Sequence, residues 1–170
     1  MGQEVGNGPA GYSGHGFSLR GEKGRYVLPA SFRKAIAPTE DHPRTLCVLA
    51  HERWHCLSGF GLQRTEKFAE QIAREEENAI RLGEKFDRER REIDLWTFNE
   101  IPFDASGRFV LPDHLAELGG IEDAICFLGG GHNFTLWSPA SLYAMDESWK
   151  NQQGICRQLE RDSAVKGKRK

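Results

Sequence analysis

The sequence carries no excess of positive charge: 23 lysines and arginines stand against 25 aspartates and glutamates, a formal net charge of −2. A protein-wide basic field that would advertise a nucleic-acid partner is excluded, so any anion recognition has to come from a local patch. The 4 cysteines, Cys47, Cys56, Cys126 and Cys156, show no C-x-x-C pair and no disulfide-dense spacing. No apolar run approaches transmembrane length. The stretch Met1 to Gly16 has neither the charged start nor the apolar run of a signal peptide. A cytosolic protein with reduced thiols is therefore expected. Its 170 residues, 38% hydrophobic and 28% charged, suit one ordinary soluble domain or two small halves sharing a core.

What is present is a repeat. Gly21-Glu22-Lys23-Gly24-Arg25-Tyr26-Val27-Leu28-Pro29 returns as Asp104-Ala105-Ser106-Gly107-Arg108-Phe109-Val110-Leu111-Pro112. Such self-similarity reports how a whole fold is assembled. Each copy reads as a tight Gly-Arg turn, a short buried strand, and a proline in the first turn of a helix. The likeness extends further: Leu46-Cys47-Val48-Leu49 corresponds to Ile125-Cys126-Phe127-Leu128, and Leu57 to Leu136. Each half is then turn, strand, helix, strand, strand, helix. Neither half of about 50 residues buries much surface alone, so the two are expected to share one core about a pseudo-two-fold axis.

In chain order, residues 1–16 read as a flexible glycine-rich arm and 17–60 as the first repeat, with Phe32 and Ile36 on one helix face. Pro38 to Arg44 reads as a loop, Thr45 to Leu49 as a strand, and Trp54 to Leu57 as its return. Residues 61–94 form a charged helical connection, with Phe68, Ile72, Ala79 and Phe86 at helical spacing and Gly83 bending or dividing it. The run Arg88-Glu89-Arg90-Arg91 within it reads as a solvated face. The second repeat occupies 95–145: a strand over Leu95 to Phe103, a short helix bearing Leu115 and Leu118 that stops at Gly119-Gly120, and a hairpin. Ser138 and Pro139 then open a further helix. Residues 146–170 read as a polar and basic tail in which regular structure fades.

Several constellations bear on chemistry. His51-Glu52-Arg53-Trp54-His55 matches H-E-x-x-H, which as a zinc peptidase needs both histidines on one helical face and the glutamate as base. By the repeat, however, the segment aligns with Gly130 to Phe134, a hairpin turn. Gly61 also stands where the metzincin pattern has its third histidine; Glu70 or Glu75 could serve in another class, and Cys47 or Cys56 in a structural zinc site. Gly21-x-x-Gly24 is too short for a P-loop and lacks the Lys-Ser/Thr ending. The Asp-x-x-Gly-Arg turn is different. An Asp four positions before Arg can accept turn N–H groups and fix both loop and guanidinium, and Arg offers a planar fork to phosphate or to the O6/N7 edge of guanine. A lone Asp–Arg pair can merely close a turn. Two copies present two arginines at fixed separation, which duplex DNA rewards.

These doubled segments resemble the MraZ family of bacterial transcriptional regulators, from about Phe17 to Tyr143. The family carries D-x-K-G-R in its first half and D-x-x-G-R in its second, matched here by Lys23-Gly24-Arg25 with Leu28-Pro29 and by Asp104 to Arg108 with Leu111-Pro112. The resemblance implies an α+β fold: an internally duplicated swapped-hairpin AbrB-like (SpoVT/AbrB) β-barrel with pseudo-two-fold symmetry and flanking helices. It implies a non-enzymatic repressor of the division and cell-wall gene cluster, cytoplasmic and nucleoid-associated. Such a repressor binds double-stranded DNA at promoter direct repeats as a closed homo-oligomeric ring. Lys23, Gly24, Arg25, Asp104, Gly107 and Arg108 would form the DNA-contacting loops, with no catalytic residue, metal or cofactor. The first copy departs from the pattern, because Gly21 stands where the family has Asp. A ring-forming interaction protein that has lost DNA binding through Gly21 is therefore the main alternative, and the zinc peptidase a further one.

Overall fold

The computed structural model describes residues 11–36 and 43–169; the expected arm up to Ala10 and most of the loop expected between Pro38 and Arg44 lie outside them. The first half runs β1 (His15–Leu19), β2 (Arg25–Val27), α1 (Ala30–Ile36), β3 (Thr45–Ala50) and β4 (Leu57–Gly61). A 3-10 turn leads into α2 (Phe68–Arg81) and α3 (Arg88–Trp96). The second half repeats the plan as β5 (Asn99–Pro102), β6 (Arg108–Val110), α4 (Asp113–Gly119), β7 (Ala124–Gly129), β8 (Phe134–Trp137) and α5 (Pro139–Tyr143), and α6 (Lys150–Arg169) follows. The class is α+β, with antiparallel strands throughout.

The strand order shows how the halves combine. The 6-stranded sheet runs β1-β7-β8-β4-β3-β5, and β2 pairs with β6 in a separate 2-stranded ribbon. Exchanging the halves returns the same order. Each half's first strand leaves its own hairpin and pairs with the other's: β1 with β7, and β5 with β3. The residues expected to correspond meet on the axis, Leu57 opposite Leu136 and Tyr26 opposite Phe109. Among the described residues the pairing closes no barrel; the sheet has two edges, and the ribbon is a ladder of its own packed on the shared core.

One core serves both halves, drawing Leu28, Phe32, Leu46 and Phe60 from the first and Phe109, Leu115, Ile125 and Phe134 from the second. Neither half supplies it alone, as the area argument requires. A smaller cluster of Cys56, Cys126, Trp137, Leu142 and Cys156 lies beside it, with Trp54 and Trp149 packed against it.

Several expectations are corrected. The glycine-rich arm gives way before Gly16. Tyr12 is buried, packs edge-on to Phe32 and Phe134, and its Oη accepts the Gly61 N–H at 2.8 Å; an aromatic anchor with a polar tip outweighs the local glycine content. The tail is the helix α6, held by buried Cys156 and by Gln153, whose amide donates to the carbonyls of Leu142 and Met145. The helical connection is divided as expected: Gly83, at φ 71°, follows α2, and Asp87 caps α3 by accepting the Arg90 N–H. That second helix runs on to Trp96, so β5 is shorter than the strand read over Leu95 to Phe103. The return strand starts at Leu57 rather than Trp54. Leu118 faces solvent, and Gly119 shares the inner face of α4 with Leu115. Pro29 and Pro112 stand just before their helices, where their carbonyls accept the first helical N–H groups. Arg91 is not a solvated charge. It is 16% exposed and forks onto both Glu75 oxygens at 2.6 and 3.1 Å while reaching Glu52 at 2.6 Å. Burial pushes Glu75 up, but the Arg91 fork and the Gln71 amide more than offset it and leave its pKa lowered.

Candidate nucleic-acid interface

The β2–β6 ribbon organises the residues singled out in the sequence. In its register Arg25 faces Val110, Tyr26 faces Phe109 and Val27 faces Arg108. Side chains alternate across a strand, so Tyr26 and Phe109 share one face, which is buried in the core. Arg25, Val27, Arg108 and Val110 share the other. Val27 is 42% and Val110 54% exposed, which identifies that face as the outer one. The pseudo-symmetry thus brings arginines 83 positions apart onto one outward surface, where both line a single shallow cleft with Asp104.

The second loop is organised as its sequence suggests. The Asp104 carboxylate accepts the N–H groups of Ser106 and Arg108, each at 2.9 Å, and its other oxygen takes the Arg108 Nε at 2.8 Å. The Arg108 N–H first, then its guanidinium and the Ser106 N–H, together outweigh the opposing desolvation and hold the Asp104 pKa below its ordinary value. Gly107 takes the left-handed turn at φ 86°. With Nε committed to Asp104, the two Nη groups of Arg108 remain to form a fork toward a ligand.

The first loop keeps the outline by other means. Gly21 N–H donates to the Arg25 carbonyl at 2.7 Å, as Asp104 N–H does to Arg108 at 3.1 Å. With no carboxylate at position 21, the main-chain carbonyl of Glu22 takes over two of its three tasks: it accepts the Arg25 N–H and, at 3.3 Å, the Arg25 Nε. To bring that carbonyl round, the loop tightens into a 3-10 turn and Lys23 goes left-handed at φ 60°, the one non-glycine residue to do so among those described. Lys23 is exposed beside Gly24 and Arg25.

No protein-family model matches the sequence. Curated relatives do. The transcriptional regulator MraZ of Rhodospirillum rubrum is 31% identical over 123 residues, covering 72% of this chain and 76% of its own. The chain belongs to the MraZ family. The MraZ regulator of Parvibaculum lavamentivorans is 32% identical over 122 residues, with 72% of each chain covered, and that of Rickettsia bellii is 28% identical over 124 residues.

Against that MraZ background the H-E-x-x-H match loses its geometry. Residues 51–56 are a non-helical hairpin turn. The His51 ring stacks on Trp54 and its Nδ1 accepts the Arg53 and Trp54 N–H groups, whereas His55 Nδ1 meets the Ser141 hydroxyl at 3.2 Å. Glu75, which could have completed a site, is engaged by Arg91. Burial pushes the Cys47 and Cys56 thiols up to about 12, away from the thiolate a metal needs. Among the described residues no group of three or more His, Cys, Asp or Glu converges as a metal site. What sequence reasoning missed is Arg33, whose guanidinium reaches the second loop from the first half. No local motif signals it.

Proposed function

We propose that this chain is a sequence-specific DNA-binding transcriptional repressor acting on promoter direct repeats of a bacterial division and cell-wall gene cluster. In this reading the fold is a swapped-hairpin AbrB-like scaffold, and the protein works in the cytoplasm at the nucleoid. The observation that carries the reading is the placement of half-buried Arg25 and exposed Arg108 on the outward face of one two-stranded ribbon. An antiparallel ribbon fits the major groove, where an arginine fork meets guanine O6 and N7 and an exposed valine can meet a thymine methyl group. A net charge of −2 leaves this local patch, with Lys23, to supply the phosphate attraction. The names borne by the relatives support a regulatory role, and a closed ring of subunits suits direct repeats. Once one subunit is bound, its neighbours meet the next repeat at high effective concentration, so weak modules add up to firm binding.

The test is titration of a direct-repeat duplex from the chain's own upstream DNA with wild type, Arg25→Ala and Arg108→Ala. Each variant is expected to lose roughly 1–3 kcal/mol of binding, as for one specific base contact, while assembly by light scattering is unchanged. Equal affinity for all three proteins would sink the site assignment. Intact assembly with no binding by wild type would favour the ring-forming protein without DNA activity.

A further inference from the structure

Arg33 belongs to α1 of the first half, yet it serves the loop of the second. Its Nη1 donates to the Leu28 carbonyl at 2.8 Å and to the Ser106 carbonyl at 2.6 Å. The Leu28 N–H in turn donates to the Gly107 carbonyl at 2.8 Å. The guanidinium lies so close to Gly107 that a Cβ there would collide with it. One side chain therefore ties the end of β2 to the turn that presents Arg108.

Among the described residues the first loop has no such hydrogen-bonded brace. Tyr26 corresponds to Phe109, Leu28 to Leu111 and Phe32 to Leu115, so Arg33 corresponds to Ala116. Beneath the first loop Ala116 lines a cavity of about 290 Å³ together with Arg20, Lys23, Gly24, Asp113 and Asp123. Arg20 packs its guanidinium over Gly24 from the same half. The first loop thus has neither the carboxylate of Asp104 nor a hydrogen-bonded tie from the other half like that of Arg33, since Arg20 only packs on it, and it carries the left-handed Lys23.

We propose that Arg33 is a positioning residue for DNA reading, and that its absence from the other half makes the two loops unequal. Arg33 holds Ser106 and Gly107, and through them Arg108, in the pose that meets DNA. The space at Ala116 leaves Arg25 on an adjustable loop. Arg108 is a pre-set reader whose ordering cost is met before binding, and Arg25 is the member that adapts to each half-site. This inference rests on the DNA-binding reading above.

The experiment combines hydrogen exchange in DNA-free protein with binding to the same upstream duplex, using Arg33→Met, Arg33→Lys and Ala116→Arg. Arg33→Met is expected to speed exchange of the Gly107 and Arg108 amides, leave the Arg25 amide unchanged, and weaken binding roughly two- to tenfold. The salt dependence should stay as in wild type. Arg33→Lys, which keeps the charge without the planar fork, is expected to fall between. Ala116→Arg, which has room in the cavity, is expected to slow exchange across residues 21–25 and tighten binding. Unchanged exchange at Arg108 in Arg33→Met and Arg33→Lys overturns the brace, whatever the affinity does. A salt slope reduced by about 1 marks Arg33 as itself a phosphate contact and overturns the positioning role. Wild-type protein that ignores the duplex refutes the DNA-binding reading on its own, separately from the exchange result.

Discussion

Replacing Gly21 by Asp restores to the first loop the carboxylate that the second possesses, and its effect can be worked from the loop geometry. Gly21 is extended, at φ −100° and ψ −160°, a conformation open to any residue. A Cβ there finds the Arg25 carbonyl as its nearest neighbour at 3.5 Å, an ordinary contact. The new carboxylate would stand where Asp104 stands and compete with the Glu22 carbonyl for the N–H and Nε of Arg25. Three gains follow. Losing a glycine reduces unfolded-state freedom, worth about 0.4–1 kcal/mol at a compatible site. Releasing the Glu22 carbonyl lets Lys23 leave its left-handed conformation, which costs an ordinary residue roughly 1–2 kcal/mol. The Asp–Arg pair is exposed and adds about 0.2–1 kcal/mol. Incomplete relaxation of the loop reduces the sum to about 1–2 kcal/mol. For a chain of this size that raises Tm by ~2–8 °C. Thermal unfolding followed by circular dichroism measures it, with affinity for the direct-repeat duplex as the companion readout. An unchanged or lowered Tm refutes the argument that the Glu22 carbonyl and the left-handed Lys23 compensate for a missing carboxylate.

Other predictions concern the scaffold. Tyr12→Phe keeps the ring but leaves the Gly61 N–H without its 2.8 Å acceptor, so unfolding free energy should fall by about 1–3 kcal/mol in a denaturant titration. Cys47 and Cys56, with thiols pushed up to about 12 inside the core, should resist a disulfide reagent at pH 8 in native protein and react on unfolding. Acid should loosen the structure through Asp104 and Glu75, both of which titrate below their ordinary values when folded. The unfolded chain therefore takes up protons first. The stabilisation is complete at neutral pH and is lost as pH falls from about 4 through the depressed values. A Tm that stays flat from neutral pH down to pH 3 would contradict this.

The duplication and the positions it pairs were legible in the sequence, because exchange of strands leaves residue correspondence intact: Leu57 does face Leu136, and Tyr26 does face Phe109. The arginine pair on the outward face followed from the same alignment once alternation along the ribbon was known. What escaped has physical reasons. Tyr12 is a single anchor among glycines, and local composition carries no trace of the aromatic pocket waiting for it between Phe32 and Phe134. The helix α6 buries Gln153 and Cys156 rather than a leucine stripe, so its periodicity is faint. Arg91 looked like one of several surface charges, although Glu75 and Glu52 capture it from α2 and from the hairpin turn. Arg33 acts on a backbone carbonyl 73 residues away, and a carbonyl has no sequence signature.

On the proposed reading, Arg25 and Arg108 together read DNA. The most direct measurement is the affinity of wild type and of the Arg25→Ala/Arg108→Ala double variant for direct-repeat and scrambled duplexes, followed across a range of salt concentrations. Wild type should prefer the direct repeats and lose affinity steeply as salt rises, because phosphate contacts release counterions. The double variant should lose the preference while keeping its assembly. If it instead matches wild type in affinity, preference and salt slope, the ribbon face is not where this protein meets DNA.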